Sequence, residues 1–132
     1  MKVELLNGAN LAFIGDAYYE LVIREYLLKK GITNQKELHT KCVDYVSATA
    51  HKLIFEKMEK DNFLTSEEIT IFKRGRNHEY KPVRKNLDPK SHTISSGLEA
   101  VIGYLYLLGD RNRLDEIINF AINTVEENKQ NE

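Results

Sequence analysis

Ser95-Ser96-Gly97-Leu98-Glu99-Ala100-Val101-Ile102-Gly103-Tyr104-Leu105-Tyr106-Leu107-Leu108 is a run of fourteen residues with a single charge. In a chain that is 30% charged, a stretch of that length would hold about four. So sparse a window reads as a helix buried nearly all round. An ionised Glu99 inside it gives up its hydration, at a cost of several kcal/mol unless a cation or hydrogen bonds replace the water.

A second stretch has the same character. Leu11-Ala12-Phe13-Ile14-Gly15-Asp16-Ala17-Tyr18-Tyr19 carries Asp16 as its one charge, and neither window contains a Lys or Arg to serve as partner. Two readings follow. Asp16 and Glu99 pair with distant cations, for which Arg24 and Arg113 are available, or they converge on one divalent cation. Two adjacent carboxylates raise each other's pKa, and an oxygen-preferring ion such as Mg²⁺ removes that conflict.

Helical periodicity runs through the rest of the chain. Ile14, Tyr18, Leu21, Val22 and Leu28 form a stripe that closes at Gly31, a suitable position for a left-handed C-terminal cap. Asn34 is placed to cap a short helix running to about Cys42. Val43, Val46, Ala50, Leu53, Ile54 and Met58 make the next stripe. Thr65-Ser66-Glu67-Glu68 has the form of a capping box. Leu114, Ile117, Ile118, Ala121, Ile122 and Val125 give the cleanest apolar face, with Asn112 as its expected cap. No strand alternation, internal repeat or low-complexity segment is visible. The expectation is an all-α bundle of about five to seven helices, in a single domain spanning residues 1–132.

Composition sets the bounds. A domain of 132 residues buries roughly two thirds of its unfolded-chain surface. No apolar run reaches the ~18 residues that would span a bilayer, and Met1-Lys2-Val3-Glu4 does not begin a secretory signal. The single cysteine, Cys42, excludes an internal disulfide, fits a reducing cytoplasm and reads as a packed small residue. His39 and His51 lie in polar helical contexts and are expected at the surface. Gly-rich phosphate loops, zinc-ligand spacings and Gly-x-Ser-x-Gly elbows are absent from the sequence.

A net charge of −1 argues against a nucleic-acid partner until its distribution is considered. Between Lys73 and Lys90, seven basic residues stand against Glu79 and Asp88, a local +5 that leaves −6 for the remainder. Gly75, Asn77, Pro82 and Pro89 mark roughly residues 75–92 as a loop, and irregular segments of that length are usually functional or disordered. Its charge is either incidental or a phosphate-contacting arm, since Lys and Arg that neutralise phosphates supply most non-specific affinity. The arm is the favoured reading, because the segment leads into the Glu99 helix. His78 and His92 flank it, with the chemistry of an acid–base pair or of further phosphate donors.

The motifs Phe13-Ile14-Gly15-Asp16-Ala17 and Leu98-Glu99-Ala100-Val101-Ile102-Gly103-Tyr104 resemble the two signature helices of the ribonuclease III catalytic domain. Their order, their separation of 83 residues and the intervening Lys73-Arg74-Gly75-Arg76-Asn77 are similar to the short bacterial branch, Mini-ribonuclease III. The resemblance covers nearly the whole chain. It implies a homodimeric, Mg²⁺-dependent endonuclease (Mn²⁺ as substitute) that cleaves double-stranded RNA to 5′-phosphate products, with ribosomal RNA precursors as its natural substrate. By position, Asp16 and Glu99 inherit the catalytic, metal-binding role. Lys73, Arg74, Arg76, Asn77, Lys81, Arg84 and Lys85 inherit RNA contact. Phe13 matches the family's aromatic residue that enters the partner subunit, although its spacing suits an ordinary core phenylalanine as well. Ala12 and Ser96 stand where longer relatives have two further acidic ligands. A catalytically silent RNA-binding scaffold of the same fold is the leading alternative, and a helical protein-interaction module is a remoter one.

Overall fold

A computed structural model describes residues 1–77 and 89–132 of the chain. Among these, a 3-10 turn (Val3–Leu5) precedes six α-helices: α1 (Gly8–Lys29), α2 (Gln35–Val46), α3 (Ala48–Lys60), α4 (Ser66–Arg76), α5 (Pro89–Leu108) and α6 (Arg111–Gln130). No described residue is in a strand. The all-α expectation therefore holds, with α5 beginning inside the stretch whose composition predicts a loop as far as residue 92.

Helix α5 is the axis of the fold. It packs against α1, α4, α3 and α6, and from Ile94 to Leu105 every residue except Glu99 is buried. That is the packing its low charge predicts. Helix α1 departs from its predicted stripe. The buried line is Leu11, Gly15, Tyr19, Ile23 and Leu27, repeating every four residues, whereas Leu21 and Leu28 are 64% and 53% exposed. Both faces of α1 carry apolar side chains, so periodicity alone does not distinguish the core face from the exposed one.

The local stop and start signals act at close range. Asn34 accepts the Glu37 N–H, and Thr65 and Glu68 form the reciprocal capping box. Gly31 has φ +92°, the left-handed conformation that ends α1. Helix α2 continues past Cys42 to Val46. Ser47 then closes it and caps α3 by accepting the Ala50 N–H. The cap of α6 is Asp110 rather than Asn112, accepting the Arg113 N–H at 3.2 Å.

Arg113, offered by the sequence as a partner for the lone carboxylates, is committed elsewhere. Its Nε and Nη2 each donate to Glu68 at 2.8 Å, and Nη2 also donates to the Phe63 carbonyl at 2.7 Å. Burial works against an ionised Glu68, yet the hydrogen bonds from Arg113 and Thr65 hold its carboxyl below the usual range. The pair locks the start of α4 to the start of α6.

Candidate metal centre and nucleic-acid interface

Two glycines bring the carboxylates together. A methyl group built on Gly15 would lie 1.8 Å from the Glu99 carbonyl oxygen, and one on Gly103 would lie 2.0 Å from the Leu11 carbonyl oxygen. Helices α1 and α5 therefore cross backbone against backbone, a closeness open only to residues lacking Cβ. Asp16 follows Gly15 directly and faces solvent, while Glu99 is half-buried beside it. The exposure of Asp16, Phe13 and Ala17 shows that the Leu11–Tyr19 stretch, unlike the Glu99 window, is not buried all round.

Glu99 shares a side-chain hydrogen bond with Asp16. Burial first, then that bond, then the charges of Asp16 and Glu20 push the Glu99 carboxyl up to about 9. The two arginines available for simple ion pairing are both engaged elsewhere. Arg24 binds Glu20 at 3.2 Å, and Arg113 holds Glu68. Ala12 and Ser96 are buried. No group of three or more His, Cys, Asp or Glu able to hold a metal occurs among the described residues. The donor set is thus two adjacent carboxyl groups, of which Glu99 is the one that burial and its neighbours keep protonated. It fits a hard, oxygen-preferring divalent cation, which would take the place of that proton.

The proton has a measurable consequence. For this pair to hold a cation Glu99 would have to ionise, so apparent Mg²⁺ affinity would then rise with pH throughout the range below about 9. With one proton displaced, half-saturating Mg²⁺ should fall by up to about tenfold per pH unit. Titrations at pH 6.5, 7.5 and 8.5 check this, and a constant half-saturation point would contradict it.

The basic residues divide by environment. Gly75 seats the end of α4 directly on α5, where an added methyl would meet the Ser96 carbonyl oxygen at 2.7 Å. Lys73, Arg76 and Asn77 are exposed there. Arg76 Nε donates to Asn77 Oδ1 at 3.1 Å. Arg74 is half-buried, and its Nη1 donates to the Glu4 and Leu6 carbonyls at 2.8 and 3.1 Å. It therefore fastens the N-terminal turn, a role the sequence did not indicate. Lys81, Arg84, Lys85 and His78 lie outside the described residues. His92 is half-buried on α5.

Phe13 is 82% exposed, which removes the core-phenylalanine reading. With Ala17 and Leu21, also exposed at four-residue steps, it forms an apolar line on the outer face of α1. Cys42 is buried, as expected.

The residue that sequence reasoning misplaced is His51. It is 1% exposed, with Nδ1 2.5 Å from Ser95 Oγ and its ring edge-on to Tyr19. The available signal was its spacing of three and seven residues from the buried Ile54 and Met58, which puts it on their face of α3.

The ribonuclease III domain model matches residues 9–110. A Mini-ribonuclease 3 from Enterococcus faecalis is 40% identical over 125 residues, covering 95% of each chain. One from Clostridium tetani is 42% identical over 128 residues, covering 96% of this chain and 83% of its own. The crystal structure of a protein from Fusobacterium nucleatum superposes with a TM-score of 0.78 at 34% identity, covering 90% of this chain and 93% of that one.

Proposed function

This chain belongs to the ribonuclease III family, in its Mini-ribonuclease 3 branch, and we propose that Asp16 and Glu99 jointly hold the divalent cation with which it cuts double-stranded RNA. The observation that carries the reading is the hydrogen-bonded carboxyl pair at the glycine crossing of α1 and α5. Asp16 presents its carboxyl oxygens at the surface, where a phosphodiester can approach. Glu99, half-buried and protonated in the metal-free pair, gives up its proton as the site loads. A cation bound there supplies activation of a water for in-line attack and neutralisation of charge on the phosphoryl oxygens. Mg²⁺ suits two carboxylates and a shell of waters, with Mn²⁺ as substitute.

Within these 132 residues, RNA recognition falls to the one helical unit. Lys73, Arg76 and Asn77 stand at the end of α4, and Lys81, Arg84 and Lys85 follow in sequence. They serve to contact phosphates flanking the cut, with A-form shape and 2′-hydroxyls read across the minor groove. Replacing Lys73 and Arg76 with Ala should lower the log–log salt slope of duplex binding by about one unit for each side chain that neutralises a phosphate, with sequence preference unchanged. An unaltered slope would make these residues spectators. Arg74→Ala should act chiefly on stability.

Structured ribosomal RNA precursor is the substrate we favour, and the cytoplasm the site of action. No described helix is long and apolar enough to cross a membrane. Cutting both strands takes two sites, and a two-fold homodimer supplies them by matching the pseudo-symmetry of the duplex backbone. The exposure of Phe13 supports a role for it as the anchor. Because Phe13 is exposed, Phe13→Ala should leave monomer stability within about 0.5 kcal/mol while shifting sedimentation towards monomer. A wild type that sediments as a monomer at micromolar concentration and still cuts both strands would defeat the dimer.

Incubation with long duplex RNA, with and without Mg²⁺, tests the function. Metal-dependent scission to 5′-phosphate ends is expected. Duplex binding without scission would favour the silent-scaffold alternative.

A further inference from the structure

His51 belongs to neither the carboxylate pair nor the RNA-facing surface, yet it touches the elements that carry both carboxylates. Its Nδ1 shares a hydrogen bond with Ser95 Oγ at 2.5 Å, whichever of the two holds the proton. Ser95 is four residues before Glu99 on α5, and so lies one turn below it on the same face. On its other side the ring meets Tyr19 edge-on, with centroids 5.3 Å apart. Tyr19 is three residues after Asp16 on α1, about one turn away on the buried side, and its hydroxyl is fixed by donation to the Tyr45 carbonyl at 3.0 Å. His51 itself comes from a third helix, α3.

As packing, the arrangement is unfavourable. Nε2 is buried and has no hydrogen-bond partner among the described residues, a penalty that an apolar side chain of similar volume would avoid. What an apolar side chain lacks is the directional bond to Ser95. Burial lowers the imidazole to about 4, opposed by the nearby Asp16 charge, so the ring is neutral at working pH. It serves as a fixed strut rather than a proton carrier.

We propose that His51 is a positioning residue for the carboxylate pair, tying the turn of α5 next to Glu99 to the turn of α1 next to Asp16 and so setting the rotation of both helices about their crossing. The inference rests on Asp16 and Glu99 being the cation-holding pair. Helix geometry shows why rotation matters. The glycine contacts fix how closely α1 and α5 approach, while leaving rotation about each axis to side-chain contacts. A helical side chain ends about 5–6 Å from its axis, so a rotation of about 10° moves a carboxylate by about 1 Å. Misplacement on that scale can cost on the order of 10²-fold in rate.

The test compares wild type with His51→Leu, His51→Asn, Ser95→Ala and Asp16→Asn. It measures kcat and KM on duplex RNA, Mn²⁺ binding by calorimetry without RNA, and melting by circular dichroism. His51→Leu should fold and lose about 10- to 100-fold in kcat with KM changed less than about threefold. It should also bind Mn²⁺ more weakly, and Ser95→Ala should move in the same direction. His51→Asn, whose amide reaches the position of Nδ1, should recover most of the rate. Wild-type kcat and Mn²⁺ affinity in both His51→Leu and Ser95→Ala would overturn the proposal. So would failure of Asn to rescue, or unfolding of both His51 variants beside a fully active Ser95→Ala, since either makes His51 a stability residue. Asp16→Asn separates the layers. Full activity there sinks the cation-pair reading itself, whereas an inactive Asp16→Asn beside an unaffected His51→Leu sinks only the positioning role.

Discussion

Asp16→Asn and Glu99→Gln should each lower kcat on duplex RNA by a factor of at least about 10² to 10³, the scale on which one preorganised electrostatic group contributes to a transition state. Each amide keeps the shape of the side chain it replaces and removes the charge that a hard cation requires. The phosphate contacts proposed for Lys73 and Arg76 are untouched, so duplex affinity at fixed salt should stay near the wild-type value. Stability should move the other way from activity. In the metal-free fold the Glu99 carboxyl is raised to about 9, against roughly 4.3 in an unfolded chain. A raised pKa contributes stability that is complete below the unfolded value and is lost as pH rises through the folded one. Metal-free Glu99→Gln lacks that loss, so its Tm should exceed the wild-type Tm at pH 8 and the gap should narrow towards pH 4. Near-wild-type turnover in either variant at limiting Mg²⁺ would remove both carboxylates from the metal site.

The second large effect belongs to a residue with no functional group. Gly15→Ala would put a methyl 1.8 Å from the Glu99 carbonyl oxygen, a backbone atom inside a buried helix that has no rotamer to give. Helices α1 and α5 would have to separate, along the contact that holds Asp16 beside Glu99. We expect a loss of at least about 3 kcal/mol, at the upper end for overpacking, and a fall in Tm of about 10 °C for a domain of this size. Activity should be lost even below the melting transition, because separating the helices separates the pair. Gly103→Ala, which meets the Leu11 carbonyl oxygen at 2.0 Å from the opposite helix, should behave alike. A Gly15→Ala protein with unchanged Tm would show that the crossing is looser than the geometry requires. Thermal melts of the purified variants decide the matter.

These residues also show what a sequence reading reaches and where it stops. The α5 window was legible because low charge over fourteen residues points to burial on all sides, which holds as far as Leu105 with Glu99 excepted, while Leu108 at its end is 48% exposed. The caps at Asn34 and Thr65 were legible because a side-chain oxygen three residues ahead of an N–H is a local relation. The reason for Gly15 and Gly103 was not, since a close approach between helices is a property of two segments at once. The same limit explains α1, whose two apolar faces gave no local sign of which one carries Leu11, Tyr19 and Ile23. Arg74 read as part of a basic cluster, and only the folded chain brings the Glu4 and Leu6 carbonyls to it. His51 looked polar in its immediate neighbourhood, and its burial follows from α5 packing on α3 and the Tyr19 ring of α1 closing over it. The resemblance in Gly15-Asp16-Ala17 and Leu98-Glu99-Ala100 singled out the two carboxylates proposed as the site. The burial that keeps Glu99 protonated beside Asp16 emerges only from the folded chain.

The most direct measurement is calorimetric titration of Mn²⁺ or Mg²⁺ into the RNA-free protein, for the wild type, Asp16→Asn and Glu99→Gln at pH 8. The account requires saturable binding in the wild type that is lost or greatly weakened in each variant, because neither carboxylate alone suffices. Undiminished binding in either variant, with the fold intact, would contradict the claim that Asp16 and Glu99 form one cation site.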